Sequence, residues 1–519
     1  MDKQEILNGP RLDQDPTFLR YVRGRMLDAE SDRRKGIYRP PTNLAYNDVI
    51  FQPRTSVVTS PDQVDTSVLF SRHIPLAIPI VPANMSTITE GKMAIAMARL
   101  GGIGVIHRDL SIEAQVAEVC KVKDATKFVV EDYPTVRPTD PVSRVRELME
   151  TRGRGFAAVL DEKGEFVGVI TSRDVLENRV DADRLVQDGV MTPREQLKVA
   201  PAETTLDEAK GLLYKYRKEK IPLIDGEGRL VGFVTERDIR MLENYPHATI
   251  DKKTGKLRVA AAVGVKLPDA MERVDELVKA GVDAIVIDVL HGDSPQVVAM
   301  GKAIKAKYPN VDTVLGNVAT FDSTIHLIKE TGADGVKAGY GVGSVCTTQL
   351  VTGTGSPQIT AVAEAAAAGY PDVPIIADGG EKTSGDIVKV LASGAQTAMF
   401  GGLVAGTDET PGEITVDYET GERVKKYSGM ATNEASHTLA RNQGSKAKNH
   451  TPQGVPSMTL YKGPVEPIIN SLMDGVRFGI ANMGARNIKE LQENALFVLQ
   501  TPEGVRDGTP HHLNSSQRR

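Results

Sequence analysis

The stretch GVGSVCTTQLVTGTGSPQ (341–358) places Cys346, one of only two cysteines in 519 residues, between a run of glycines and two threonines. A thiol is partly ionised at neutral pH and is intrinsically nucleophilic. Thr347 and Thr348 bring hydroxyls within a loop step of the sulfur. Gly339, Gly341 and Gly343 precede it. They can take positive φ and turn backbone amides and carbonyls inward, toward a ligand or an ion. Ser344 adds a hydroxyl suited to phosphate. Taken alone, Cys346 reads equally well as a small buried apolar residue.

Two other stretches change that balance. IIADGG (375–380) ends an apolar run with Asp378 and two glycines, and MFGGLVAGTDETPGE (399–413) ends another with Gly401 and Gly402. A carboxylate accepts two hydroxyl donors, so Asp378 suits a ribose diol. Singly, Asp378 is also an ordinary helix N-cap, and paired glycines are ordinary tight turns. Phosphate, ribose and thiol together describe a nucleotide whose base is presented to Cys346.

These residues need a frame, and the apolar runs supply one. They lie at 74–85, 101–107, 257–264, 284–289, 313–318, 335–339, 373–380 and 396–402. Near-continuous alanine and β-branched residues indicate strands buried on both faces of a parallel sheet. Helical patterns such as LPDAMERVDELVKAGVDA (267–284) intervene. The spacing predicts an α/β fold, a (β/α)8 TIM barrel, with its chemistry at the C-terminal strand ends and phosphate at the loops after strands seven and eight. Residues 1–125, with a polar N-terminal extension, and 246–519, with the cysteine loop and a tail, are its two parts.

An internal repeat separates those parts. Residues 135–175 are echoed by 198–239, each copy reading helix, strand, D-x-x-G turn, strand, then T-S/E-R-D. The repeat resembles a tandem pair of CBS modules, 126–190 and 191–245, inserted as a regulatory domain between polar borders. Thr171, Arg173 and Asp174, with Thr235, Arg237 and Asp238, are similar to the nucleotide-holding ends of such modules. Plain helix capping accounts for the same residues.

Composition narrows the partners. Net charge is −5, charged residues are 25 %, and tryptophan is absent. Neither nucleic acid nor an anionic membrane is expected, and base-stacking platforms are disfavoured. No apolar run approaches the roughly 18 residues of a membrane span. Few cysteines and an N-terminus without a secretory apolar core make the expected location cytoplasmic. No zinc site is expected, since apart from His511–His512 no histidine pair has ligand spacing. Cys120 lies on an apolar stripe and is expected in the core.

GVGSVCTT (341–348), IADGG (376–380), YSGM (427–430), ANMSTITEGKMAIAMARLGGIGVIH (83–107) and NLAYNDVIFQP (43–53) together resemble the IMP dehydrogenase/GMP reductase family. The likeness runs from residue 43 to near 490, with the CBS pair in the family's usual insertion place. It implies a purine nucleotide oxidoreductase using a nicotinamide cofactor. Cys346 is then the nucleophile toward purine C2, and Thr348 its partner hydroxyl. Ser344, Gly380, Gly401, Gly402 and Tyr427 hold phosphate, and Asp378 holds ribose. Met85, Gly429, Met430 and Gln453 form the base pocket, while Asp288, Val289 and Asn317 meet the cofactor. Carbonyls of Gly341, Gly343 and Cys346 bind a monovalent cation, K+. The resemblance also implies purine nucleotide effectors at the CBS pair and homotetramers that can pair into octamers.

Direction turns on the second half-reaction. A dehydrogenase must activate water with an Arg-Tyr pair on a mobile flap; a reductase must expel ammonia and receive hydride. The flap expected at 431–463 has no Arg-Tyr, since Arg441 is followed by Asn442. Asp288-Val289 stands where dehydrogenases show Asp-Ser-Ser, Gly401-Gly402 replaces Gly-Ser, and ANM precedes the first substrate loop. Against this, the CBS insertion and GTDETPGE (406–413) are dehydrogenase-like, and Gln453 replaces a reductase glutamate. Thr348 with water, Lys446 or His450 would have to assist ammonia departure, and His450 could instead activate water. The expectation is an NADPH-dependent GMP reductase. The alternatives are an IMP dehydrogenase using NAD+ and, further off, an inactive nucleotide sensor. An unrelated phosphate-binding lyase is disfavoured by the Cys-Thr-Thr stretch.

Overall fold

Eight short strands rich in alanine, valine and isoleucine form one parallel sheet: β1 (Ile80–Pro82), β2 (Val105–Ile106), β3 (Ala260–Val263), β4 (Ala284–Ile287), β5 (Asp312–Val318), β6 (Gly335–Ala338), β7 (Ile375–Asp378) and β8 (Thr397–Phe400). Strands β3, β4, β6 and β8 are buried at every position, as two-sided coverage requires. The strand order β1-β8-β7-β6-β5-β4-β3-β2 is that of a barrel opened at one seam. Next to that seam, the amides of Ala77 and Ile78 both reach Gly101 O, at 2.9 and 3.2 Å. Each strand is followed by the helix of its number: α1 (Gly91–Arg99), α2 (Ile112–Asp124), α3 (Asp269–Lys279), α4 (Pro295–Lys307), α5 (Phe321–Thr331), α6 (Gln358–Gly369), α7 (Ser384–Ala392) and α8 (Val465–Asn482). This is the expected TIM barrel. The computed structural model describes residues 42–125, 133–152, 155–175, 180–236, 243–252, 254–267, 269–369, 371–429 and 451–510, with 23, 24, 26, 239 and 432 besides.

The first apolar run, 74–85, is not one strand. Ile74–Leu76 pairs antiparallel with Val68–Ser71, and only Ile80–Pro82 enters the barrel. Pro75 and Pro79 explain the break, because proline cannot donate to a central ladder. The hairpin is fastened to the N-terminal end of β5. Ser71 Oγ donates to Asp312 Oδ2 at 2.6 Å, and His73 Nδ1 lies 2.7 Å from Asp312 Oδ1. Asp334, close by, accepts from Lys305 Nζ at 2.6 Å and from the Thr313 amide at 2.9 Å. His73, Asp312 and Asp334 thus come together as an ion-pair floor whose carboxylates already have chain donors. Cys120 is half-buried rather than in the core, because α2 turns Gln115, Val119, Val122 and Lys123 inward instead.

Asp124–Pro246 with Asp251–Lys256 forms a second compact unit, separate from the barrel unit. Both copies of the repeat fold as antiparallel hairpins, Phe156–Leu160 with Phe166–Thr171 and Lys220–Ile224 with Leu230–Thr235. Their turns are matched. Asp161 Oδ1 accepts from the amides of Lys163 and Glu165, and Asp225 Oδ1 accepts from those of Glu227 and Arg229. Gly164 and Gly228 take φ of 82° and 83°, where a side chain would be strained. One cluster joins the copies: Phe233 of the second packs edge-on against Phe156 and Phe166 of the first, at 4.7 and 6.3 Å between centroids. Among the described residues no helix is long and apolar enough to cross a membrane.

Phe233 is fully buried at this junction. Phe233→Ala is expected to destabilise the second unit by about 3–5 kcal/mol, the range for a large aromatic removed from a core. Chemical denaturation followed by circular dichroism would show that unit's transition moved to lower denaturant.

Candidate active site

The C-terminal ends of the strands surround a cleft of about 510 Å³, within the roughly 300–1,000 Å³ usual for small-molecule sites. Its main wall is the loop that leaves β6. At Gly339, φ is 149°, and a Cβ there would lie 2.2 Å from Asp378 O. At Gly341, φ is 75° and a Cβ would meet Gln349 Cγ at 2.7 Å. Only glycine allows this path, which carries Ser344 and Cys346 over the cleft. The Cys346 amide donates to Gly343 O at 3.0 Å, closing the turn. Thr347 N to Gln453 O at 2.9 Å and Val455 N to Val345 O at 3.0 Å then clamp the loop against 453–455.

Cys346 Sγ lies 3.1 Å from Thr348 Oγ1, and Thr348 is fully buried at the start of the short helix Thr348–Thr352. Either atom can donate. A hydroxyl donating to sulfur stabilises a thiolate; a thiol donating to the hydroxyl opens a path for its proton.

Facing this pair is a corner of neutral donors. Ser344 Oγ and Tyr427 Oη are 2.8 Å apart. Burial holds the Tyr427 phenol above its ordinary pKa, so it stays protonated and able to donate. A Cβ on Gly401 would lie 3.0 Å from Tyr427 Oη and 3.2 Å from Met85 Sδ; one on Gly402 would lie 3.3 Å from Ser344 Oγ. Gly379 and Gly380 complete the corner at φ of 97° and 94°. Beneath them Tyr46 donates to Gly379 O at 3.1 Å.

The opposite wall is charged. Lys337 Nζ lies 2.6 Å from Asp378 Oδ2 and 3.5 Å from Asp288 Oδ1. Asn317 Nδ2 donates to Asp378 Oδ2 at 2.8 Å and to Gly339 O at 2.9 Å. Arg108 Nε reaches Asp288 Oδ2 at 3.5 Å. Burial alone would raise the Asp288 carboxyl, but Lys337 and Arg108 outweigh it and hold it below the ordinary range. Burial likewise opposes the Lys337 ammonium, and Asp378 and Asp288 outweigh it in turn.

The cleft therefore collects Cys346, Thr348, Met85, Ser344, Gly380, Gly401, Gly402, Tyr427, Gly429 and Gln453 with Asp288, Val289, Asn317, Asp378, Gly341 and Gly343. Met430, Arg441, Lys446 and His450 lie outside the described residues. So do Arg237 and Asp238 of the repeat. Asp174 Oδ2 accepts from both the amide and the hydroxyl of Thr171, each at 2.7 Å, and Arg173 pairs with Glu219. Thr235 is buried at the end of its strand.

Sequence reasoning missed Lys337, Arg108, Tyr46 and Glu381. A lysine inside the apolar run GVKAG (335–339) was the available signal for the first. Glu381 is 6 % exposed and lines the cleft; burial raises its carboxyl well above the ordinary pKa.

The donor set can be tested against the expected ligands. Asn317 Oδ1 and Gln453 Oε1 are buried on the cleft wall without a hydrogen-bond partner among the described residues. Unpartnered buried acceptors cost free energy unless a ligand donor meets them. They fit amide or purine N–H groups, and with Asp288 they fit a nicotinamide nucleotide. For a monovalent cation, Gly343 O already accepts the Cys346 amide, so only its second lone pair remains for an ion.

Barrel and cleft define an enzyme scaffold with a thiol beside a corner of hydroxyl donors. Comparison with known proteins agrees. Residues 43–511 match the IMP dehydrogenase / GMP reductase domain. The inosine-5'-monophosphate dehydrogenase of Aquifex aeolicus is 44 % identical over 474 residues, 91 % of this chain and 95 % of that protein. That of Methanocaldococcus jannaschii is 43 % identical over 482 residues, 90 % and 95 %. A cysteine-to-alanine GMP reductase of Trypanosoma brucei, crystallised with guanosine 5'-monophosphate, superposes with a TM-score of 0.84 at 38 % identity, covering 92 % of this chain and 99 % of its own. The chain belongs to the IMP dehydrogenase / GMP reductase family and is a purine nucleotide oxidoreductase.

Gly401→Ala would push a methyl against Tyr427 Oη and Met85. It is expected to weaken binding of a purine 5'-monophosphate about tenfold, or ~1.4 kcal/mol. Tyr427→Phe, which removes one donor without adding bulk, is expected to cost less. Titration calorimetry of both variants measures the two effects.

Proposed function

We propose that the protein is a GMP reductase, converting GMP, NADPH and two protons to IMP, NADP+ and ammonium. The observation that carries the direction is the composition of 431–463. Its one arginine, Arg441, precedes Asn442, and its one tyrosine, Tyr461, is remote in sequence and donates to Asp408 at 2.6 Å. A dehydrogenase needs a base over the sulfur to activate water, and general-base help contributes about 10²–10⁴-fold. The superposition with the trypanosomal GMP reductase, over 92 % of this chain, supports the same reading. Gln453 and the dehydrogenase names of the relatives by sequence favour the second reading, an IMP dehydrogenase using NAD+.

The chain's part in the chemistry comes from the cleft. Ser344, Tyr427 and the amides of Gly380, Gly401 and Gly402 hold the 5'-phosphate, and Asp378 accepts ribose hydroxyls. Met85, Gly429, Met430 and Gln453 hold the base so that C2 meets Cys346. The sulfur adds to C2 and the C2–N bond to the exocyclic amine breaks. That nitrogen takes up protons through Thr348 and leaves as ammonium. Asp288, Val289 and Asn317 would hold the nicotinamide cofactor, which when bound would supply hydride for C2. Cleavage of the C2–S bond then returns the thiolate and releases IMP.

A monovalent cation, K+, at the carbonyls of Gly341, Gly343 and Cys346 would stiffen the loop. The second unit, with its two matched hairpins, reads as a CBS pair spanning about 126–245 that binds purine nucleotide effectors through Thr171, Arg173, Asp174 and Thr235 with Arg237 and Asp238. A cytoplasmic homotetramer, able to pair into an octamer, completes the reading.

GMP with NADPH is expected to lose nicotinamide absorbance, whereas IMP with NAD+ is expected to stay flat. Turnover only in the second mixture would reverse the direction. Cys346→Ala is expected to abolish turnover while leaving nucleotide binding within about threefold, less than one hydrogen bond is worth.

A further inference from the structure

Lys337 takes no part in these steps, yet it stands between the two ligands they require. It projects from β6, is 3 % exposed, and bridges Asp378 on β7 and Asp288 just after β4. Both of the chain's contacts to the Asp378 carboxylate, from Lys337 at 2.6 Å and Asn317 at 2.8 Å, fall on Oδ2. Among the described residues, no chain donor reaches Oδ1. Asp109 and Arg108 face Asp288; Tyr46, Glu381 and Tyr427 face Asp378. Among the described residues, Lys337 is the cation in ion-pair contact with Asp378.

Two carboxylates sharing a water-poor cleft repel each other unless a cation stands between them. The Lys337 ammonium is placed between Asp378 and Asp288, and its bond to Oδ2 fixes which way the Asp378 carboxylate turns. A side chain at 337 without charge would leave the repulsion unscreened and Asp378 held by Asn317 alone. Oδ1 would then lose its fixed aim at the ligand.

We infer that Lys337 is a positioning residue that holds Asp378 by Oδ2, so that Oδ1 is presented to the nucleotide's ribose, and ties that carboxylate to Asp288 at the second ligand. The inference rests on the reading of Asp378 as the ribose acceptor. It assigns Lys337 the selection of ribose over deoxyribose, acting through Asp378.

Calorimetric binding of GMP, IMP and their 2'-deoxy counterparts to the full chain tests it. The parent is expected to favour the ribonucleotide about tenfold, the worth of one hydrogen bond to a charged acceptor. Lys337→Met is expected to bring the ratio close to one. Lys337→Arg, which keeps the charge, is expected to retain most of the ratio. If the methionine form fails to fold, Lys337→Gln keeps a donor, removes only the charge, and carries the same expectation. A neutral variant that selects ribose as well as its parent overturns the inference and leaves the functional reading standing. A parent that binds neither GMP nor IMP overturns both.

Discussion

No side chain fits where β6 leaves the barrel, and the rest of the site depends on that. At Gly339 the backbone passes so close to Asp378 O that a single Cβ would collide with it. The contact forces the chain to turn inward across the cleft rather than outward to its helix. Gly341 and Gly343 continue the turn, and Gly379 packs against Gly343 from β7. Backbone thus packs on backbone, and the loop is positioned by hard contact rather than by flexible side chains. Its products are the placement of Cys346 beside Thr348 and of Ser344 beside Tyr427.

That geometry divides the cleft by type of interaction. One corner offers hydroxyls and amides, which can surround a phosphate in several directions without fixing its charge state. The other wall holds alternating charges, Arg108, Asp288, Lys337 and Asp378, linked end to end by contacts of 2.6–3.5 Å. In a low-dielectric interior such a row is stable only while it stays balanced, because removing one member strands its neighbour. The row also ties the loops after β2 and β4 to β6 and the end of β7.

On the proposed reading, the thiol, its threonine and the hydroxyl corner would serve any reaction that begins by attack on purine C2. The second half of the reaction would handle either water or an amine, and the composition of 431–463, without a paired arginine and tyrosine, would suit departure of ammonia. Proteins named for opposite reactions match this chain at comparable identity.

The eight apolar runs, the repeat and the cysteine loop were legible in the sequence because each is a local pattern. Two-sided burial shows as continuous alanine and valine, and tight backbone turns show as glycine. The motif residues converge on one cleft for the same reason, since a barrel carries every strand end to one face. What the sequence could not show were relations between distant positions. That Ile74–Leu76 turns away as a hairpin depended on its partner strand and on Asp312, far along the chain. Lys337 looked like an exception in an apolar run until Asp288 and Asp378 were brought beside it from other strands. Tertiary structure alone decides such pairings, because an ion pair in the interior exists only where the fold has excluded water from both of its members.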